Sequence, residues 1–378
     1  MINLNKSLVG VAFITLLLIL SFIFSDFIKQ ADENILTSKF RIRGESAPDS
    51  SVIILYLDND DIRAIGGWPI KRNYYALVIK VLNELGAKVI GLDIALINPN
   101  VERPEYDDLL TNVVKSSGNV VLVGYFTSLT KDEPNLKSRL PEKTGYHTEE
   151  KVYFYTGDKL NLPFPKLLDA AGGIGHENFY NFKVPVFIRS ANEVFPAFSF
   201  ELLRIFSGAE KSSVNISSTD TRLISESKII QIPYEKDGTI NVDYPGGVST
   251  LNAIPLVEFL QAYSLQQKGG ITDVDVNQVK NKIVIVGVIA EGMTDFVETP
   301  YTKQFPAVGI HAAIIANALN NDFLKIFPDY WDFIFVFAVG LFFIYLILKL
   351  NDLKGLLILL AFLVSYSILS YSVFIIFD

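Results

Sequence analysis

Three aspartates stand where short apolar runs of the sequence end. Asp58 closes "SVIILYLD", Asp93 closes "AKVIGLD", and Asp295 lies a few residues after "NKIVIVGV". Carboxylates gathered in one place could hold a hard cation such as Mg²⁺, which prefers oxygen ligands. An aspartate after a strand also commonly caps the next helix or fixes a turn. Each aspartate fits either role, and a shared site requires that the fold bring the three together.

Three further side chains could belong to the same site. Arg72 offers a planar guanidinium to a carboxylate or phosphate, and Trp68 could line the mouth of the site, although a Trp-Pro corner is also typical of a packed loop. His311 could be a ligand or a proton carrier, but one His without a second His or Cys nearby is weak evidence of a metal centre. We therefore predict a ligand-binding site, with no catalytic residue, no cofactor and its metal content open, formed by Asp58, Trp68, Arg72, Asp93, Asp295 and His311.

The rest of the sequence excludes several kinds of chemistry. It has no G-x-S-x-G elbow, no P-loop and no paired His-Glu motif. The sequence "GGIGHEN" at residues 172–178 resembles a glycine-rich dinucleotide-binding motif. No strand is predicted before it and no clear helix after it, so we discount this interpretation. The absence of cysteine excludes disulfides and thiolate metal sites, and a net charge of −8 without a basic stripe argues against a nucleic-acid partner.

The elements that would position these residues alternate between strand and helix. Residues 51–58, 87–93, 119–126 and 281–288 are short apolar runs typical of strands buried on both faces. Between the first two, apolar residues recur at helical spacing from a predicted cap at Asn73 to a stop at Gly86. Helices are also predicted in "FPAFSFELLRIFSG" and "GIHAAIIANALNN", and a hairpin around Asp237-Gly238. This order predicts an α/β fold with a mainly parallel buried sheet, flanking helices and right-handed crossovers.

Three apolar segments flank this α/β region. Residues 8–28, 331–348 and 355–377 are each long enough to cross a bilayer, which takes roughly 20 apolar residues. The first could instead be a signal peptide, but it is longer than the usual apolar core and leaves through "SDFIKQADEN" rather than a small-residue cleavage site. We expect three transmembrane helices, with a tail and anchor at 1–28, a main domain at 29–329 and a helical hairpin at 330–378.

Basic residues predict the orientation of the main domain. The loop between the last two spans carries Lys349 and Lys354, which the positive-inside rule places in the cytoplasm, so the main domain lies outside. The first span points the other way, because Lys6 stands before it and four basic residues follow it: Lys29, Lys39, Arg41 and Arg43. We give more weight to the short loop, where the rule applies best. The prediction is a multi-pass protein of the cytoplasmic (inner) membrane with an extracytoplasmic domain.

Two stretches of the main domain resemble a known family, the CHASE sensory domain of the second type. "LDNDDIRAIGGWPIKRNYYALVIKVLNELGAKVIGLDIAL" is similar to its N-terminal signature, and "NKIVIVGVIAEGMTDFVETPYTKQFPAVGIHAAIIANALNNDFL" to its C-terminal one. "DGTINVDYPG" resembles the central hairpin of the family. The resemblance implies a bacterial extracytoplasmic sensor that binds a small ligand and relays a signal through its spans. Family members usually have three spans after the domain and then a cytoplasmic output domain. This chain departs from that plan.

The resemblance implies that the signal is passed to a partner protein, because the chain has no recognisable cytoplasmic output domain. We expect the lipid bilayer, an unidentified small ligand, and either a second copy of the chain or a separate membrane signalling protein as partners. Small residues allow close helix contact, and the spans contain Gly340, Ser365, Ser367 and Ser370. The alternative function is an extracytoplasmic, metal-assisted enzyme that uses the aspartates at the sheet edge.

Overall fold

The computed structural model describes most of the chain. The described residues are 25–47, 49–131, 140–141, 144–148, 154–179, 183–190, 193–226, 228–324, 334, 337–342, 349 and 352–377. They fall into two compact units, one formed by Ser46–Phe323 and the other by the residues before and after it. The first predicted span before residue 25 lies outside the described residues, and the second lies mostly outside them.

Helices and strands alternate along the first unit. The helices of the described chain are α1 Ser25–Arg43, α2 Asn59–Ala64, α3 Arg72–Glu84, α4 Pro104–Ser117, α5 Pro165–Ala170, α6 Phe198–Ser207, α7 Leu256–Gln267, α8 Ala307–Asn320 and α9 Asp352–Phe377. The strands are β1 Val52–Leu57, β2 Val89–Leu92, β3 Val120–Thr130, β4 Tyr146–His147, β5 Tyr155–Asn161, β6 Gly173–His176, β7 Val184–Pro185, β8 Phe187–Ser190, β9 Glu193–Pro196, β10 Val214–Ile216, β11 Asp220–Ile224, β12 Ile229–Pro233, β13 Thr239–Ile240, β14 Ala253–Pro255, β15 Ile283–Val288, β16 Phe296–Val297 and β17 Phe305–Pro306.

A large sheet, parallel in its first half, forms the centre of the Ser46–Phe323 unit. Strands β14, β1, β15, β2 and β3 lie side by side in that order, with β6 beside β3, and all six run parallel. The second half of β3 continues into an extension in the order β5, β8, β9, β4, where three of the four pairings are antiparallel. The predicted α/β class and the mainly parallel buried sheet are confirmed.

Helices cover both faces of the parallel strands. One face packs against α3, α4 and α7 in a core that contains Leu55, Ile90, Val286, Ile79 and Phe259. On the other face, α6 packs against β2, β3 and β6, while α8 packs against β1 and β15. Because both faces are covered, strands such as β15 are buried at every position, which explains their continuous apolar sequence.

Two glycines in the sheet let α6 approach closely. A Cβ on Gly91 of β2 would lie 2.7 Å from the ring of Phe198, and a Cβ on Gly175 of β6 would lie 2.5 Å from the Phe198 Cα atom. Such distances are shorter than real Cβ contacts. The two glycines therefore set the depth at which the first turn of α6 packs on the sheet.

Two local predictions are wrong. Helix α3 begins at Arg72 after Lys71, which makes no side-chain cap, so Asn73 is not the cap residue. A tight turn does form at Asp237-Gly238, but β12 pairs with β11 and β13 pairs with β7, so the expected hairpin is absent. The stop at Gly86 is confirmed, because this residue has a left-handed φ of 81°.

The other unit pairs two helices. Phe40 of α1 and Phe374 of α9 meet edge to face with ring centroids 5.3 Å apart, and Ser38 Oγ lies 2.5 Å from the Tyr371 hydroxyl. Within the described residues, α9 is the one helix long and apolar enough to cross a membrane, over Leu357–Ile376. Almost none of this segment is buried in the protein, as expected for a helix surrounded by lipid.

Candidate functional site

A cavity of about 800 Å³ opens at the carboxyl edge of the parallel strands. This is the edge at which open α/β sheets bind ligands. The cavity is lined by the residues that follow β2 and β6, by the end of β15 and the loop after it, and by the start of α8. The lining residues are Trp68, Asp93, Ile94, Ala95, Tyr125, Glu177, Asn178, Phe179, Val288, Gly292, Met293, Thr294, Asp295, Ala307 and His311.

Four of the six predicted site residues meet in this cavity. Asp93 follows β2 directly, Asp295 lies in the loop after β15, and His311 is in the first turns of α8. Trp68 reaches the cavity from the loop between α2 and α3. The ends of neighbouring parallel strands converge at one edge, which is the physical reason why residues so far apart in sequence share one cavity. Their role in binding remains a prediction.

Three carboxyl groups give the cavity an acidic lining. Asp93, Glu177 and Asp295 all line it, and no Lys or Arg is among the lining residues of the described chain. Burial raises the pKa of Asp93 to about 7, and burial together with the charges of Asp93 and Asp295 raises the pKa of Glu177 to about 8. Both side chains remain partly exposed to the cavity, so water there moderates this effect of burial. A positively charged ligand would reduce the repulsion among these carboxylates.

One of two neighbouring buried histidines, His311, lines the cavity. The His311 side chain is 1% exposed and packs against the rings of Phe179 and Phe198, at centroid distances of 5.5 and 5.3 Å. Burial lowers the pKa of His311 to about 3. Burial and the neighbouring His311 likewise lower the pKa of His176 to about 3, against the opposing effect of the Pro185 carbonyl. Both imidazoles are therefore neutral near pH 7, and each His311 nitrogen lacks a hydrogen-bond partner in the described part of the chain.

Asp58 does not reach the cavity. Its Oδ1 atom accepts hydrogen bonds from the backbone N–H groups of Asp60 and Asp61, both at 2.8 Å, and so caps α2. β15 lies between β1 and β2 in the sheet, which separates Asp58 from the strand end that carries Asp93. The helix-cap interpretation therefore applies to Asp58, and its expected placement in a shared concave region is wrong.

Arg72 is not in the cavity either. Its guanidinium pairs with the buried carboxylate of Asp107, donates to the Asn98 carbonyl and lies 4.9 Å from the centroid of the Phe164 ring. The second oxygen of Asp107 accepts the Asn100 N–H at 2.7 Å. Arg72 thus fastens the loop after β2, the loop that begins with Asp93, and the expectation that it lines the site is wrong.

The contribution of β6 to the cavity was not predicted from the sequence. The discounted "GGIGHEN" contains this strand, which ends at His176 and places Glu177, Asn178 and Phe179 at the cavity. Two glycines in four residues hide the strand, because they remove the β-branched side chains that normally mark one. One signal in the sequence was informative. Glu177 directly follows a short stretch at a point where the alternation of strands and helices requires a strand, just as Asp93 directly follows β2.

A ready-made metal centre is not evident at these carboxylates. Among the described residues, no group of three or more His, Asp or Glu side chains is arranged to hold a metal ion. The carboxylates surround open space instead, which suits a ligand larger than a single ion.

Comparison with known protein families gives one match. The model described as the CHASE2 domain matches residues 12–345 of the chain. The match covers most of the chain, including the strands and loops that build the cavity. No curated protein and no solved structure was found to match.

Proposed function

The chain belongs to the CHASE2 domain family, a family of sensory extracellular domains, and we propose that it senses a small ligand in the carboxyl-edge cavity. The observation that carries this proposal is the cavity itself. It has the size expected of a small-molecule site and combines apolar and aromatic walls with a few polar groups. Its position outside parallel strand ends is the one at which this sheet architecture commonly binds ligands.

The proposed sensor lies outside the cytoplasmic membrane and is anchored by three helices. The family supports the extracellular position, since CHASE2 domains are typically sensory domains of membrane proteins. The apolar surface of α9 is consistent with an anchor. We propose that ligand binding is relayed through the transmembrane helices to a second copy of the chain or to a separate membrane signalling protein.

A ligand screen with one blocked variant tests the binding step. Ala95 is exposed and lines the cavity, so Ala95→Trp should fill the site, whereas Leu77→Trp adds the same side chain to the exposed face of α3. Thermal unfolding of the full chain in detergent would be measured with a library of small water-soluble metabolites. We expect at least one compound to raise the Tm of the wild type and of Leu77→Trp but not of Ala95→Trp. A library without any such compound would contradict the proposal.

A further inference from the structure

Three acidic side chains line the cavity, and no Lys or Arg lines it with them in the described part of the chain. Asp93, Glu177 and Asp295 enter it from three separate segments, after β2, after β6 and after β15. None of these carboxylates has a salt bridge or a side-chain hydrogen bond to another described residue. Carboxylates that face the same cavity repel each other, and the charges of Asp93 and Asp295 contribute to the raised pKa of Glu177.

A second feature points to a donor-rich ligand. His311 is buried against two phenylalanine rings, and both of its ring nitrogens are unpartnered within the described chain although its side chain lines the cavity. A buried polar atom without a partner is costly, so each one calls for a partner, and at a cavity wall a bound ligand can supply it. Neutral imidazole always has one acceptor nitrogen, which can receive an N–H from a ligand.

The aromatic residues suit an organic cation rather than a bare ion. Trp68 is 44% exposed, and Tyr125 and Phe179 line the same space. Aromatic faces attract ammonium groups and pack against their carbon chains. The carboxylates are not gathered tightly enough to coordinate a metal in the described residues, and the volume of about 800 Å³ accommodates a molecule of several carbon atoms.

We propose that the cavity binds a small organic cation, a protonated amine, with its ammonium groups paired to Asp93, Glu177 and Asp295 and its carbon chain against the aromatic side chains. This assignment rests on the proposed sensory function and specifies its ligand class. Alkyl amines stay protonated below about pH 10, so the ligand keeps its charge over the range in which Glu177 and Asp93 lose their protons. Binding therefore strengthens from pH 6 to pH 8.5, as the two acids ionise.

Four probes separate the charge of the ligand from its shape. Three of them share a four-carbon chain: 1,4-diaminobutane is a dication, 1,4-butanediol is neutral and butanedioate is a dianion. Mg²⁺ is the fourth. Isothermal titration of the full chain in detergent should show binding of the diamine alone, with an affinity that increases from pH 6 to pH 8.5.

Matched variants locate the binding. Glu177→Gln and Asp295→Asn each remove one cavity carboxylate, and Glu210→Gln removes an exposed carboxylate that does not line the cavity. Because a charge-assisted hydrogen bond is lost, each cavity variant should weaken diamine binding by roughly 10- to 100-fold, while Glu210→Gln leaves it unchanged. Glu177→Gln should also flatten the pH dependence. Thermal unfolding without ligand should show that both cavity variants are folded and at least as stable as the wild type. If these acids had a purely structural role, both variants would instead be less stable than the wild type.

The outcomes distinguish the ligand class from the function. Absence of diamine binding overturns the organic cation, as does Mg²⁺ binding that Asp295→Asn abolishes. If a neutral or anionic compound binds and Ala95→Trp blocks it, the charge assignment fails while the sensory function stands. If no probe and no library compound binds, the proposed function fails as well.

Discussion

At the scale of single residues, the same residue type performs two tasks at the ends of parallel strands. Asp93 faces the cavity, whereas Asp58 turns back onto the backbone and caps α2. The rule for strand ends predicts where an aspartate lies but not which way its side chain turns, because that depends on the N–H groups of the next residues. Hence Trp68, Asp93, Asp295 and His311 could be placed together from sequence, whereas Asp58 could not be excluded.

The cap at Asp58 predicts a simple pattern of stability. Asp58→Ala removes both hydrogen bonds to the first turn of α2 and should lower the free energy of unfolding by about 1 kcal/mol. Asp58→Asn should cost much less, because asparagine also caps helices. Urea denaturation of the full chain in detergent measures both. Neither variant should weaken ligand binding, and a variant that folds normally but loses binding would return Asp58 to the site.

The acidic pair in the cavity makes stability depend on pH. The pKa of Asp93 is raised to about 7 and that of Glu177 to about 8, so between about pH 4 and pH 8 the folded state binds more protons than the unfolded state. Stability from this pair is therefore lost as the pH rises. The buried His311 and His176 act in the opposite direction from about pH 3 to 6.5, because the folded state keeps them neutral.

A difference measurement isolates the acidic pair from the histidines. At pH 8 and without ligand, Glu177→Gln should be more stable than the wild type by about 1–2 kcal/mol, a figure reduced because water in the cavity screens the charge. The advantage should shrink toward pH 4.5, where the wild-type acid is protonated. Urea denaturation at both pH values tests this, with Glu210→Gln as the control. An advantage that is the same at both pH values would show that titration of Glu177 is not its cause.

At the scale of elements, the parallel strands were predictable and the extension was not. β1, β2 and β15 are continuous apolar runs, because helices cover both of their faces. β5 has exposed polar positions, and β6 owes its glycines to the approach of α6. Strands shaped by a neighbouring element carry no periodic signal of their own, which is why the acidic residue after β6 was missed.

Close packing of α6 on the sheet can be tested at Gly175. A Cβ at this position would lie 2.5 Å from the Phe198 Cα atom, so Gly175→Ala must shift backbone and should cost about 1–3 kcal/mol of stability. Gly287→Ala is a graded control, because its Cβ would meet the Val308 side chain at 3.0 Å. Urea denaturation should therefore show a larger loss for Gly175→Ala. Equal stability of the two variants would contradict the proposed depth of α6.

At the scale of the whole molecule, the fold accounts for the cavity, and membership in a family of sensory domains supports a sensor role for the chain. The apolar helix α9 supports one of three predicted spans, and the other two fall outside or mostly outside the described residues. Hydropathy predicts where a chain can cross a bilayer, but the orientation of the chain depends on a few basic residues. Here the basic residues near the two ends of the chain predict opposite orientations. The side of the membrane on which the cavity lies is therefore the property that the sequence determined least.

The absence of cysteine allows this property to be measured without background labelling. Ala95→Cys places one thiol in the cavity, and Asp352→Cys places one in the loop between the last two predicted spans. A membrane-impermeant maleimide would be applied to right-side-out membrane vesicles before and after they are opened with detergent. If the cavity samples ligands outside the cytoplasm, Ala95→Cys is labelled in sealed vesicles and Asp352→Cys only in opened ones. Labelling of Ala95→Cys only after the vesicles are opened would contradict an extracytoplasmic sensor.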